Sequence, residues 1–210
     1  MANYLHFGDL PEGLSFSGSI AVDTETTGLH PSRDRLCVVQ LSAGDGDAHL
    51  VQFPPPEAAK FPDYSAPRLR SLLANPSIEK IFHFGRFDLS VLMRDLSVDA
   101  TPVFCTKIAS KLVRTYTDRH GLRDICSELL GVSISKEQQS SDWGRAVLTE
   151  AQIGYAASDV LHLHPLRDKL AEMLEREGRL ELAKACFAYL PARAKLDLSG
   201  WDGVDIFAHS

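Results

Sequence analysis

Two acidic side chains stand one residue apart at the end of an apolar segment. Asp23 and Glu25 close the segment that opens at Ser19, and the turn-like residues 26–28 follow them. On a strand, residues two apart point to the same face, so the two carboxylates project side by side. Adjacent carboxylates repel one another, and burying them is costly unless a cation compensates. The pair therefore suggests a metal site, although a solvated pair in a strand-end turn is the commoner arrangement.

Three further residues have the chemistry to join this pair. Asp88 lies near a predicted helix start, where the backbone dipole favours an acid, so capping is its alternative role. Tyr155 and Asp159 are four residues apart in a predicted helix and share one face. Alone, they would indicate a half-buried aromatic ring beside an exposed acid. Together, the four acids offer the hard oxygen ligands that Mg²⁺ or Mn²⁺ prefers, which predicts a two-metal centre for displacement at phosphorus.

The elements around these residues predict a mixed α/β domain with a central sheet flanked by helices. Gly and Pro clusters separate the predicted strands, and Pro165 marks a kink or boundary between helices. A loop runs from Pro54 to about Pro67. The predicted strands are 19–23, 36–42, 48–53 and 80–84, and the predicted helices are 68–74, 87–95, 103–114, 121–130, 149–163 and 166–189.

Length and composition favour one domain of ordinary globular character. The chain has 210 residues, 44% of them hydrophobic, and no apolar run approaches the ~20 residues that span a bilayer. The first ten residues lack a signal-peptide pattern, so we expect a cytoplasmic protein without a membrane partner. The four cysteines are far apart, which suggests neither a zinc site nor a disulfide framework. The net charge of −6 disfavours tracking along duplex, so a nucleic-acid substrate would be short or held locally.

Three motifs resemble the DEDD exonuclease superfamily, whose fold is ribonuclease H-like. They are VDTETTGL at 22–29, HFGRFDLSVL at 83–92 and YAASDVLHLHPL at 155–166. The tyrosine four residues before Asp159 resembles the tyrosine branch, to which ribonuclease D belongs; the histidine branch would need His at Gly154. The resemblance implies a 3′-5′ exonuclease with two divalent ions, Mg²⁺ or Mn²⁺. It also implies Asp23, Glu25, Asp88 and Asp159 as metal ligands, with Tyr155 as a further catalytic residue.

A narrower resemblance is to the short ribonuclease D-like proteins of the nano-RNase C group. It rests on CTKIASKLVRTYTDRHGL at 105–122, ISKEQQSSDW at 134–143 and WDGVDIFAHS at 201–210. Membership implies cleavage of short oligoribonucleotides down to dinucleotides, and a ring-like homo-octamer. Ribonuclease D proper carries helical nucleic-acid-binding domains after its catalytic domain, and their absence here argues against processive handling of long structured RNA. We expect one exonuclease domain at 1–195 and a tail at 196–210.

Substrate contacts are predicted around the motifs. Thr24 lies between the paired acids, and Leu29, by similarity to short-oligonucleotide members of the superfamily, would wedge between two bases or else pack under its turn. His83 and Arg86 flank the second motif and could contact a phosphate; a buried strand histidine and a surface arginine are the alternatives. A basic run could cap a 5′ phosphate or form a solvated helix face. It comprises Lys107, Lys111, Arg114, Arg119, His120 and Arg123.

Three other functions remain open at this stage. The first is an exonuclease that acts mainly on DNA or longer RNA, since the metal centre does not need the 2′-hydroxyl. The second is a catalytically inactive nucleic-acid-binding module, and the third is a structural subunit of a larger assembly. The tail bears on the third, because Trp201, Ile206 and Phe207 would fold back on the chain's own core or bury against a neighbouring subunit.

Overall fold

A computed structural model describes residues 2–55, 62–135 and 137–209. In these residues the chain forms a sheet of six strands and seven α-helices. The strands are β1 Asn3–Phe7, β2 Ser19–Thr26, β3 Leu36–Ser42, β4 Ala48–Gln52, β5 Glu79–Phe82 and β6 Val103–Cys105. The helices are α1 Pro67–Ala74, α2 Arg86–Leu96, α3 Thr106–Val113, α4 Leu122–Leu130, α5 Glu150–Leu161, α6 Leu163–Arg176 and α7 Leu180–Leu196. A short π-helical turn, Asp197–Trp201, follows α7.

The sheet is mixed, as the sequence predicts. Its strand order is β1-β4-β3-β2-β5-β6. β2 pairs antiparallel with β3 and parallel with β5, while β1 and β6 pair in parallel with β4 and β5. β2 therefore lies in the middle of the sheet. β5 pairs with its first residues, 19–21, whereas the acidic pair at its end is paired with β3.

Helices cover the sheet and build the core. Every residue of β3 is buried, so both faces of the sheet are covered at this strand. α5 packs against β1, β2, β3 and β4, whereas α2 packs on β2, β3 and α7. Hence the two helices that carry the predicted site residues Asp88, Tyr155 and Asp159 both contact the strand that carries Asp23 and Glu25.

The helix predicted at 103–114 is wrong in its first three residues. Val103–Cys105 forms β6, which pairs in parallel with β5, and α3 begins only at Thr106. A short run of β-branched and aromatic residues fits a buried edge strand as well as a helix, and the pairing with β5 decides between them.

The single helix predicted at 166–189 is two helices. α6 ends at Arg176, and α7 runs from Leu180 to Leu196. Gly178 between them has a φ of 65°, a left-handed conformation that glycine adopts without steric cost. α6 begins at Leu163, so the predicted boundary near Pro165 is confirmed as a helix start, where proline fits the first turn.

The N-terminal residues form a strand that the sequence analysis did not predict. β1 pairs in parallel with β4, which places it at the edge of the sheet. Part of the loop expected at 54–67 lies outside the described residues. Among the helices described, none has the length and apolar character needed to cross a membrane.

Candidate active site

β2 presents the first two acids to a cleft. Ile20 and Val22 are buried in the sheet, whereas Asp23 and Glu25 are half-buried at its C-terminal part. Asp23 faces Gln40 of β3 in the strand register, and the Gln40 side-chain amide donates a hydrogen bond of 3.3 Å to the Asp23 carboxylate. The alternation of the strand therefore places both carboxylates on one side, as predicted from their spacing.

The third acid comes from the start of α2. Asp88 is the third residue of this helix and is only 3% exposed. The hydroxyl of Thr24 donates a hydrogen bond of 2.7 Å to its carboxylate. Thr24 thus connects β2, which carries the acidic pair, to α2, which carries Asp88. This structural role is in addition to the substrate contact predicted for Thr24.

α5 supplies the tyrosine and the fourth acid. Its start is set by a capping box, in which the Thr149 hydroxyl accepts from the backbone N–H of Gln152 and the Gln152 side chain reaches back to Thr149. Tyr155 and Asp159 lie one turn apart on this helix, and the interaction of the tyrosine hydroxyl with the Asp159 carboxylate opposes the rise in the pKa of that acid. The cap therefore fixes the register that turns both side chains toward β2.

The structure brings three of the four acids together and places the fourth within electrostatic reach of them. Carboxylate oxygens of Asp23, Glu25 and Asp159 lie within 4.8 Å of one another. The charge of Asp88 reaches the same group, because it raises the pKa of both Asp23 and Glu25. Three carboxylates from two distant parts of the chain therefore converge on one position, and Asp88, from a third part, lies near enough to interact with them, an arrangement that suits a metal centre.

The pKa values of the four acids are all raised above their ordinary values. Burial, followed by repulsion from the other carboxylates, raises the pKa of Asp23 and of Glu25 well above their ordinary values. Burial also raises the pKa of Asp88 and of Asp159 to about 7, against the opposing hydrogen bonds from Thr24 and Tyr155. Clustered, partly desolvated carboxylates of this kind are found at functional sites.

The donor set fits divalent cations. All the candidate ligand atoms are carboxylate oxygens, which suit Mg²⁺ and Mn²⁺. In the described part of the chain, none of the four acids forms an ion pair with lysine or arginine, although ion pairs are frequent elsewhere. A cation bound among these oxygens would remove the repulsion that raises their pKa values.

Asp23, Glu25 and Asp159 line a cleft of about 710 Å³ with apolar side chains at its rim. Leu29 is 85% exposed and projects from the turn that follows β2, and Phe84 is 44% exposed. Phe84 has a φ of 70°, an unusual conformation for a side chain of this size. Trp143 packs near Tyr155, with ring centroids 6.1 Å apart, and closes another part of the cleft.

His83 also lines the cleft, but as a neutral side chain. Burial, with a smaller contribution from the charge of Lys107, lowers the pKa of His83 to about 3. Its Nδ1 lies 3.0 Å from the Thr106 hydroxyl, which fixes the ring. His83 can therefore offer a hydrogen bond to a substrate but not a positive charge near neutral pH.

Most of the predicted cationic contacts do not line this cleft. Arg86 binds the carboxylate of Asp197, and Arg119 pairs with Asp124. His120 contacts the Ser110 hydroxyl. Arg114 has no exposed surface and is paired with Glu128, so its predicted phosphate contact is corrected to a role in joining α3 to α4.

Two other members of the basic run do line the cleft, namely Lys107 and Arg123. Lys107 Nζ lies 4.3 Å from the centroid of the Phe84 ring. Both belong to the predicted basic run, but helical spacing alone does not show which of its residues face the cleft. Gln40 and Phe84 were not predicted as site residues, although strand alternation opposite Asp23 is a signal that could have identified Gln40.

The fold and the site together define the class of protein. A mixed six-stranded sheet with flanking helices, carrying an acidic cluster at the end of a central strand, is a ribonuclease H-like exonuclease architecture. Residues 7–175 match the 3′-5′ exonuclease family, so the chain belongs to this family. Its relatives confirm the predicted ribonuclease D type.

Two relatives illustrate the match. The ribonuclease D of Granulibacter bethesdensis is 34% identical over 180 residues, which cover 85% of this chain but only 44% of that protein. The DNA polymerase I of Aquifex aeolicus is 38% identical over 161 residues, covering 77% of this chain and 25% of the polymerase. The chain thus spans less than half the length of these curated relatives.

Solved structures of Brucella melitensis NrnC match from end to end. The structure with bound Mg²⁺ is 56% identical, has a TM-score of 0.91 and is covered completely, as is this chain. The structure bound to pGG is 57% identical with the same TM-score, covering 99% of this chain and 98% of that chain. The predicted resemblance to the short ribonuclease D-like group is therefore confirmed.

Proposed function

We propose that this chain hydrolyses short oligoribonucleotides from the 3′ end, down to dinucleotides, and releases 5′-mononucleotides. The observation that carries the proposal is the convergence of Asp23, Glu25 and Asp159 beside Tyr155 in one cleft, with Asp88 near enough for its charge to raise the pKa of Asp23 and Glu25. The match to Brucella NrnC, solved with Mg²⁺ and with pGG, supports the metal and the length of the substrate. A cytoplasmic location is part of the proposal.

The four carboxylates are the residues that would hold two divalent ions, Mg²⁺ or Mn²⁺. Ions bound there would supply a water of lowered pKa and stabilise the charge on the leaving 3′-oxygen. The protein prepares for this by holding Asp88 with the Thr24 hydroxyl and Asp23 with the Gln40 amide. These hydrogen bonds orient the ligands before substrate arrives.

Tyr155 positions the attacking water in this proposal. Burial, and then the charge of Asp159, raises the pKa of the Tyr155 phenol above its ordinary value near 10. A phenol with a raised pKa is a poor base at neutral pH, so its hydroxyl acts through a hydrogen bond. Its interaction with the Asp159 carboxylate places it next to the acidic cluster.

The rim of the cleft suits a short single strand. Leu29 and Phe84 present apolar surface to bases next to the acidic cluster, in line with the predicted wedge role of Leu29. Lys107 and Arg123 are the lysine and arginine side chains that line the cleft in the described residues. They are the candidates for binding the 5′ phosphate, in place of Arg114, Arg119 and His120.

Assembly into a homo-oligomer, an octamer by the resemblance stated above, is also part of the proposal. It is supported by exposed apolar side chains in the tail. Trp201 is 47% exposed, Ile206 46% and Phe207 75%. Apolar surface of this kind in one segment is typical of an interface.

The test is a time course with purified protein, Mg²⁺ or Mn²⁺, and 5′-labelled RNAs of two, three and seven nucleotides. We expect conversion to mononucleotides that requires the metal, with the fastest turnover on the dinucleotide. Absence of metal-dependent hydrolysis on every RNA would refute the proposed activity. Equal rates on the three lengths would be compatible with the proposed exonuclease activity but would refute the proposed preference for short substrates.

A second candidate is an exonuclease that acts mainly on DNA 3′ ends. The 38% identity to the Aquifex DNA polymerase I supports it, since the match covers most of this chain. Adding DNA oligonucleotides of the same lengths and sequences to the time course separates the two candidates. Faster turnover of DNA than RNA at every length would favour this second function.

A further inference from the structure

A buried carboxylate at the end of α7 is held between two arginines. Asp197 is only 6% exposed. Its two oxygens accept hydrogen bonds of 2.5 and 2.8 Å from Nε and Nη2 of Arg86, and Arg193 Nη2 lies 2.8 Å from one of them. A two-point contact between a guanidinium and a carboxylate fixes orientation as well as distance. This cluster of Arg86, Asp197 and Arg193 is called the tail clamp below.

The tail clamp joins the tail to the helix that carries a candidate metal ligand. Arg86 is the first residue of α2, and Asp88 is the third. Arg86 Nη2 also donates 2.6 Å to the carbonyl of Asp202, and Arg193 donates to the carbonyls of Trp201, Asp202 and Val204. Residues 197–204 are therefore fixed against the start of α2.

The start of α2 needs such an anchor. Its N-cap is Gly85, so no side chain caps the first turn. A glycine at the N-cap costs only a few tenths of a kcal/mol relative to a capping side chain, but it leaves the first turn without a side chain that fixes its orientation. On the cleft side, Asp88 is held by Thr24; on the far side, the two-point contact of Arg86 with Asp197 supplies the second constraint.

We infer that Asp197 is a positioning residue, which acts through Arg86 to hold α2 and thereby sets Asp88 within the acidic cluster. The inference rests on the proposed function, because it assigns Asp88 to metal binding. Buried ion pairs contribute little net stability, since desolvation offsets their attraction, so geometry is the property that this pair controls. Groups that orient metal ligands typically change metal affinity by 10- to 100-fold when they are removed.

The experiment compares Asp197→Asn with the wild-type protein by calorimetric titration of the metal-free protein with Mn²⁺. The substitution keeps the shape of the side chain and removes the charge that binds both arginines. We expect at least a tenfold rise in the Mn²⁺ dissociation constant, about 1.4 kcal/mol. The concentration of Mn²⁺ at half-maximal hydrolysis should rise in parallel, while KM for the RNA at saturating metal stays within twofold.

Two further variants separate positioning from a general loss of structure. Arg86→Lys keeps the charge but loses the two-point contact, and we expect it to weaken Mn²⁺ binding as Asp197→Asn does. Because both variants break one contact, the double variant should cost no more than the larger single effect. Asp99→Asn removes the surface pair with Lys195 of α7 and serves as the control, with wild-type metal binding.

Thermal unfolding and light scattering accompany each titration. Wild-type Mn²⁺ affinity in folded Arg86→Lys and Asp197→Asn would overturn the inference, whatever their stability. If Asp197→Asn does not fold, Arg86→Lys alone decides by the same criterion. A wild-type protein that binds no Mn²⁺ would instead refute the proposed function, so the two failures are distinguishable.

Discussion

The half-buried carboxylates of Asp23, Glu25 and Asp159 share a small volume, and each raises the energy of the others when ionised. Substituting Asp23→Asn removes one of these charges and keeps the shape of the side chain. We expect the metal-free variant to unfold at a temperature higher by a few degrees at pH 8, for a gain on the order of 1 kcal/mol. Metal-dependent hydrolysis should be abolished.

The pH dependence of this gain follows from the direction of the pKa shifts. Because the folded-state pKa values of the four acids lie above their unfolded values, the folded chain binds more protons than the unfolded chain between about pH 4 and pH 7. The stability of the metal-free wild type therefore falls as pH rises through this range. Asp23→Asn should match the wild type near pH 4 and exceed it at pH 8. Calorimetric scans without metal that show a lower melting temperature for the variant at pH 8 would contradict this account.

Tyr155 allows a sharper test at the same scale, since only its hydroxyl touches the acidic cluster. Tyr155→Phe should lower kcat on the order of 100-fold, leave KM for a short RNA nearly unchanged and leave Mn²⁺ binding intact. If the hydroxyl positions water, the wild-type rate should not depend on deprotonation of a phenol with a raised pKa. A wild-type rate that climbs tenfold per pH unit up to pH 10, and a variant that lacks this climb, would instead identify Tyr155 as a base.

Lys80 joins three elements at the scale of secondary structure. Its side chain has no exposed surface, and its ammonium donates to the carbonyls of Asn75, Ile78 and Thr101 at 2.8, 2.6 and 2.5 Å. The Asn75 carbonyl follows α1, the Ile78 carbonyl precedes β5 and the Thr101 carbonyl precedes β6. Lys80→Met leaves them without a donor, so we expect a loss on the order of 3 kcal/mol in the free energy of unfolding, measured with denaturant. Lys195→Met, at an exposed lysine, should change it by less than about 0.5 kcal/mol.

The sign of the pH effect gives Lys80 a second signature. Burial lowers the pKa of Lys80 from 10.5 to about 8. Between these values the unfolded chain binds more protons than the folded chain, so this group makes stability rise as pH increases from about 8 to about 10.5. The difference in stability between wild type and Lys80→Met should widen over that range. A difference that stays constant with pH would show that Lys80 titrates as an exposed lysine does.

The elements also show which parts of this structure a sequence can predict. β3 lies at the predicted residues 36–42, because its run of buried apolar residues is a local signal. β1 and β6 have no such signal, since their identity depends on parallel pairing with strands far along the chain. The spacing within motifs correctly indicated which faces of β2 and α5 carry Asp23, Glu25, Tyr155 and Asp159.

Cationic residues were the least predictable part of the site. Arg86 stands beside the second motif, yet its partner Asp197 lies 111 residues away in the chain. Arg114 is likewise buried and forms an ion pair with Glu128. A basic residue is available to a phosphate only when no carboxylate of the folded protein holds it, and this depends on tertiary contacts that residue spacing does not contain.

At the scale of the whole molecule, the net charge of −6 and the acidic cleft act against binding of long polyanions. Among the described residues, the lysine and arginine side chains that line the cleft are Lys107 and Arg123. A protein of this charge gains little from a long strand outside its cleft. The proposed preference for short substrates is therefore consistent with its electrostatics as well as with the shape of the rim.

Assembly is the last property of the whole molecule that the structure lets us predict. Trp201 stays exposed although the tail clamp fixes the backbone between residues 197 and 204, and Phe207 stays exposed although its ring contacts that of Tyr189. Apolar side chains on a fixed backbone lose little entropy when a partner covers them, which favours association. The double substitution Trp201→Ser with Phe207→Ser should lower the molecular mass measured by light scattering, while Val147→Ser, at another exposed apolar residue, should leave it unchanged. A wild-type mass for the double variant would show that the tail does not form the interface.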